Sequence, residues 1–99
     1  QFAFHGYLPI ESKEVSQKIK SLEKESSQKN QTQIFIETPY RNNQVLKSLL
    51  NALGNSVLLT IALNITGKDE FIKTQKVSDW KKDVPNLPKS PAVFLFLSY

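Results

Sequence analysis

The sequence predicts an α/β fold, a mixed five-stranded sheet flanked by helices. Three observations carry this. Short apolar runs alternate with amphipathic helical stretches in the first half of the chain, the pattern of parallel strands joined by helical crossovers. Two strand-like runs, Val57 to Leu63 and Phe71 to Val77, then follow each other across a polar turn, which suits an antiparallel pair. A last apolar run, Ala92 to Leu97, returns after a stretch with three prolines.

Phe2 to Phe4 is a short apolar strand, broken by Gly6 and Pro9. Ser12 is placed to cap a helix, with Glu14 in its first turn. Val15, Ile19 and Leu22 recur at i, i+4 and i+7, one face of that helix. Polar Ser26 to Thr32 reads as a loop. Ile34-Phe35-Ile36 is apolar throughout and reads as a strand buried on both faces. Thr38 and Pro39 form a helix entry, Thr as cap and Pro at the first helical position. Leu46, Leu49, Leu50 and Leu53 make the apolar stripe, and Gly54 ends it. Asn64 to Asp69 is a turn, Ser78 caps a short helix around Trp80, and residues 83–91 are irregular. The order is β-α-β-α-β-β-α-β, with right-handed crossovers between the early strands. Phe2, Phe4, Phe35, Phe94 and Phe96 are the expected aromatic core.

Ninety-nine residues suit one domain, which buries only about 60–65% of the surface its unfolded chain exposes. With no cysteine, disulfides and thiolate metal sites are excluded. One histidine, no cysteine and no paired carboxylate spacing beyond Asp69-Glu70 argue against a metal centre, and no nucleophile triad is expected with a single histidine. Three separated glycines make no phosphate-binding loop. The longest apolar run is too short to cross a bilayer. No secretory leader is visible, and a cytoplasmic location is expected. The chain has no methionine, even at position 1, so Gln1 is expected to mark a fragment boundary. Net charge is +4, which permits an anionic partner without demanding one. The charges are interspersed: five lysines and four glutamates between Glu11 and Lys29, five lysines and four acids between Lys68 and Asp83. That is the pattern of a solvated face.

In α/β sheets, ligands gather outside the carboxyl ends of strands. Two such ends converge here if their strands are parallel, Glu37-Thr38-Pro39-Tyr40-Arg41 and Asn64-Ile65-Thr66-Gly67. Glu37 either pairs with Arg41 or faces a ligand. Tyr40 either covers the sheet end or contacts one. Thr66 and Gly67 are turn residues or part of a site, and His5 is a structural hydrogen bonder or a base.

Phe4-His-Gly-Tyr-Leu-Pro9 resembles the F-x-G-F-L-P segment of the tetrapyrrole methylase superfamily, most nearly the branch that 2′-O-methylates ribose in small-subunit ribosomal RNA. Ile34-Phe-Ile-Glu-Thr-Pro-Tyr-Arg41 resembles that branch's I-F-Y-E-[SA]-P-H-R, and Leu53-Gly54 its helix stop. Ile61-Ala-Leu-Asn-Ile-Thr66 stands where the branch has A-R-E-L-T-K. The resemblance runs from Phe4 to about Phe96, in order. It departs at Tyr40, where the branch has His, at Leu63 and Asn64, where it has Arg-Glu, and at Gly67, beside the position of a Lys. A divergent branch is implied.

The resemblance implies the C-terminal domain of a methyltransferase using S-adenosyl-L-methionine, with the N-terminal domain and its main cofactor loop outside this chain. It implies a cofactor cleft between the two domains, lined here by Pro39, Leu63, Asn64, Ile65 and Thr66. Gly6, Tyr7, Pro9, Glu37, Tyr40 and Arg41 would lie toward the substrate. No residue stands out as the catalytic base. The implied acceptor is the ribose 2′-OH of ribosomal RNA, the fragment alone is expected to be inactive, and a homodimer without membrane contact is expected. The alternatives are a methyltransferase for a tetrapyrrole or other small molecule, or a non-catalytic RNA- or protein-binding domain.

Overall fold

A computed structural model describes residues 1–8, 12–38, 40–64 and 70–98. Eight elements occur in the expected order: β1 (Phe2–Phe4), α1 (Ser12–Lys29), β2 (Thr32–Glu37), α2 (Asn42–Ala52), β3 (Leu58–Leu63), β4 (Phe71–Lys76), α3 (Val77–Lys82) and β5 (Ala92–Leu97). The strands form one sheet in the order β1-β2-β5-β3-β4. β1 and β2 are parallel, and β5 runs antiparallel to both of its neighbours, β2 and β3. β3 and β4 form the expected antiparallel pair.

The two faces of the sheet differ. Alternate residues of β2, β5 and β3 are buried: Gln33, Phe35 and Glu37; Ala92, Phe94 and Phe96; Leu59, Ile61 and Leu63. The strand register places these nine on one face. Val15, Ile19 and Leu22 of α1 pack there, with Val45, Leu46, Leu49 and Leu50 of α2 and Val77 and Trp80 of α3, in a single apolar cluster. Right-handed crossovers between co-directional strands put all three helices on the same side. Trp80 is tied down by its indole Nε1–H, which donates to the Leu59 carbonyl at 2.9 Å. The other face carries Ile34, Ile36, Val93, Leu95 and Leu97, half-buried, and no described helix lies over it.

That asymmetry corrects one expectation. Phe2 and Phe4 pair with Thr32 and Ile34, so both side chains stand on the open face and are 72% and 60% exposed. Phe35, Phe94 and Phe96 are core, as expected.

Three boundaries also move. α1 continues through Ser26 to Lys29, where a loop was expected. Ser26 extends the Val15–Ile19–Leu22 stripe, is fully buried, and accepts the Ser98 N–H through Oγ at 2.9 Å. The helix closes on Asn30, at φ +50°, with the Gln31 N–H donating to the Ser26 carbonyl at 3.0 Å. α2 starts at Asn42, after Arg41 as cap residue, so Thr38 is not its cap. Thr38 instead opens a turn, its carbonyl accepting the Arg41 N–H at 3.1 Å. α3 begins at Val77 after Lys76, one residue ahead of the proposed Ser78 cap. Gly54 does follow the end of α2; its N–H is taken up by Glu23 Oε2 of α1 at 2.7 Å.

Candidate functional site

The carboxyl ends of β2 and β3 meet on one rim. Glu37 and Leu63 are the last residues of their strands, and both pair across to Ala92, the first residue of β5. This is the convergence that parallel β2 and β3 require, with antiparallel β5 between them. Of the sequence-derived site residues, Gly6, Tyr7, Glu37, Tyr40, Arg41, Leu63 and Asn64 lie in the described part. Pro9, Pro39, Ile65, Thr66 and Gly67 lie outside the described residues.

On the β2 side, Glu37 sits on the helix face, 4% exposed. Its Oε1 accepts the Thr38 N–H at 3.1 Å and lies 3.3 Å from Arg41 Nη1. Arg41 Nη1 also donates to the Leu8 carbonyl at 3.3 Å. One guanidinium therefore joins the β2 end, the start of α2 and the segment leaving β1. The first part of that segment is pinned as well, because the Gly6 carbonyl accepts the Ile36 N–H at 2.9 Å. Gly6 has φ +72°, a conformation that strains any side chain. Tyr7 and Tyr40 project into solvent, 59% and 84% exposed.

His5 stands apart from the rim. Its Nε2 shares a hydrogen bond with Gln33 Oε1, and its ring lies 5.5 Å from that of Phe35. This is the structural hydrogen bonder of the two readings.

On the β3 side, Asn64 turns the chain with φ +50°, which asparagine tolerates better than most residues. Leu63 and Asn64 line an open cavity of about 340 Å³, bordered by Phe71, Pro85, Asn86, Leu87 and Pro88. Its volume lies within the usual range of small-ligand pockets. A larger depression of about 520 Å³ opens between α2 and α3, away from the strand ends.

The cavity wall is held by a pair of residues that the sequence reading missed. Asn43 Oδ1 accepts the Leu87 N–H at 2.7 Å, while its Nδ2 donates to the Leu87 carbonyl and to Asn86 Oδ1, each at 3.2 Å. Asn42 Nδ2 donates to the carbonyls of Pro88 and Ser90. Two facing carbonyls fix which end of the Asn42 amide is nitrogen. Among the described residues, its Oδ1 and the Glu37 Oε2 are both buried without a hydrogen-bond partner. The available signal was two adjacent amides at a helix start and a proline-rich segment too irregular to hold itself.

Among the described residues no group of three potential metal ligands occurs, and no helix is long and apolar enough to cross a membrane. The rim combines an apolar cavity with amide groups at Asn64 and Asn86, beside a guanidinium and two exposed phenols.

No family model matches the sequence. The ribosomal RNA small subunit methyltransferase I of Vibrio cholerae is 30% identical over 101 aligned positions, which take in 99% of this chain and 34% of that protein. The chain thus spans about a third of the length of the curated relative it matches. The crystal structure of the methyltransferase CobJ superposes with a TM-score of 0.61 at 12% identity, over 98% of this chain and 41% of that one. At that identity the likeness shows a shared fold.

Proposed function

We propose that this chain, a divergent member of the tetrapyrrole methylase superfamily, is the C-terminal half of an S-adenosylmethionine-dependent methyltransferase acting on a ribose 2′-OH of ribosomal RNA. The observation that carries the reading is the shared rim: Glu37–Arg41 and Leu63–Asn64 flank Ala92, beside an apolar cavity of about 340 Å³.

The cavity suits one part of the cofactor. Its apolar wall of Leu63, Phe71, Leu87 and Pro88 fits a flat ring, and the amides of Asn64 and Asn86 can fix the ring's edge. When bound, S-adenosylmethionine supplies a methyl carbon already activated on a positively charged sulfur. What remains for the protein is to hold the acceptor oxygen in line, exclude water and receive the proton. In this chain Arg41 holds the rim in shape, Tyr7 and Tyr40 offer aromatic faces to an acceptor, and the Asn42–Asn43 pair fixes the cavity wall. No described residue is placed as the base, so the fragment alone is expected to be inactive, with a second domain completing the site.

Titration calorimetry with S-adenosylhomocysteine tests this, comparing this chain with a protein extended upstream. The extended protein is expected to bind, and Asn64→Ala to weaken that binding by roughly tenfold, the worth of one hydrogen bond. Absence of binding by a folded extended protein would overturn the reading.

A further inference from the structure

We propose that the depression between α2 and α3 is a second ligand site, suited to a free adenine mononucleotide. The proposal is independent of the methyltransferase reading. The depression has a volume of about 520 Å³, within the usual range of small-ligand pockets. α2 builds one side of it in two stripes. Leu46 and Leu50, four apart, give an apolar floor, and Asn43, Lys47 and Asn51, also four apart, form a polar edge beside them. From Asn43 to Asn51 the helix rises about 12 Å, close to the reach of a nucleotide from base edge to phosphate. The other side is Lys81 of α3 with the segment from Val84 to Asn86. Leu46 and Leu50 belong to the core, whereas Val84 is 53% exposed, an apolar side chain with nothing over it.

The polar groups select the ligand. Among the described residues two lysines line the depression and no acid does. Lys81 is held in place, its Nζ donating at 2.9 Å to Asn55 Oδ1 in the turn that follows α2. Lys47 is exposed and forms no ion pair among the described residues. Two ammonium groups suit the doubly charged phosphate of a nucleotide. The amides ask for more than a phosphate. Asn43 is engaged with Leu87 and donates to Asn86 Oδ1, which leaves Asn86 Nδ2 as a donor. The Asn51 amide makes no hydrogen bond among the described residues, so its donor and its acceptor are both available. That side-by-side pair matches the N6–N7 edge of adenine, while the leucine floor covers one face of the ring. A single nucleotide fits better than a strand. No aromatic ring lines the depression to stack successive bases, and exposed Asp83, directly before Val84, opposes a polyanion running past that edge. Pro85 and Asn86 also line the rim cavity, so the two sites share one wall.

Chemical-shift mapping of this chain with adenosine 5′-monophosphate tests the site. Shifts are expected at Lys47, Lys81 and the Asn51 side-chain amide, and none at Asn64, which lines the rim cavity alone. Lys47→Gln, at an exposed helix position, is expected to raise Kd roughly tenfold, the worth of one charge-assisted hydrogen bond. Asn51→Ala is expected to raise it roughly fivefold, about one neutral hydrogen bond, and to leave the response to inorganic phosphate unchanged. Adenosine, which lacks the phosphate, is expected to bind at least roughly tenfold more weakly than the nucleotide. A spectrum unmoved by millimolar nucleotide would overturn the proposal. So would shifts centred on Asn64 and Phe71, or a response to adenosine or to inorganic phosphate equal to that of the nucleotide. Tighter binding of a six-residue adenylate strand, with shifts spreading beyond the depression, would overturn it in favour of a nucleic-acid surface.

Discussion

Glu37 and Arg41 form an ion pair, 3.3 Å between Oε1 and Nη1, in which the carboxylate side chain is 1% exposed and the guanidinium 21%. The pair spans a turn rather than a helix, because α2 begins only at Asn42. A buried carboxylate that loses its cation is left with its full desolvation cost. Arg41→Ala is therefore expected to destabilise the domain by about 3 kcal/mol, the lower end for one-sided removal of a buried pair. Urea unfolding measures it; a loss well under that would show that water takes over the role of the guanidinium.

Asn43 should act on the cavity wall more than on α2, in whose first turn it lies. Asn43→Ala strands the Leu87 N–H and carbonyl, which it now satisfies on both sides. A cost of about 1–3 kcal/mol follows from leaving such groups unpaired. Faster hydrogen exchange at the Leu87 amide, with α1 unchanged, is the expected pattern. Uniform acceleration across the domain would mean that the segment is not held locally.

Trp80→Phe separates packing from hydrogen bonding. The ring volume is largely kept, but the Leu59 carbonyl loses its 2.9 Å donor. About 1–2 kcal/mol of stability is expected to be lost. Trp80 is the one tryptophan, so unfolding of the variant is followed by dichroism.

Acid should loosen the end of α1. Lys29, hydrogen-bonded to Glu25 at 2.9 Å, holds the Glu25 carboxyl below its usual value. A carboxyl lowered in the folded state stabilises it above the unfolded pKa, and that contribution is lost as pH falls through the folded value. Salt should weaken the effect, since the pair is exposed. Exchange rates at Lys29 and Asn30 are expected to rise in that window in the native chain and to be flat in Lys29→Ala.

The element order, the β3–β4 pairing and the Glu37–Arg41 contact were legible because each rests on local pattern: apolar runs, a polar turn, a spacing of four. The place of Phe2 and Phe4 was not. Their apolarity is equally suited to core and to an uncovered face, and the side on which the helices fall depends on crossover hand and strand order together. The start of α2 was misplaced because Thr38-Pro39 is as good a turn as a helix entry. Asn42 and Asn43 went unnoticed because their partners, Asn86 to Ser90, are more than forty positions away. Such bonds leave no periodic trace in a sequence.

The middle strand of the sheet is the last to be made. β5 joins β2 to β3 through both of its edges, so without it the sheet falls into a β1–β2 pair and a β3–β4 hairpin with no ladder between them. A ribosome must release the chain through Leu97 before these halves can be bridged. Until then two apolar fragments with open edges await their centre, the condition in which nascent chains most need a chaperone. Loss of residues from the end of β5 would shorten both of the ladders that join the two halves.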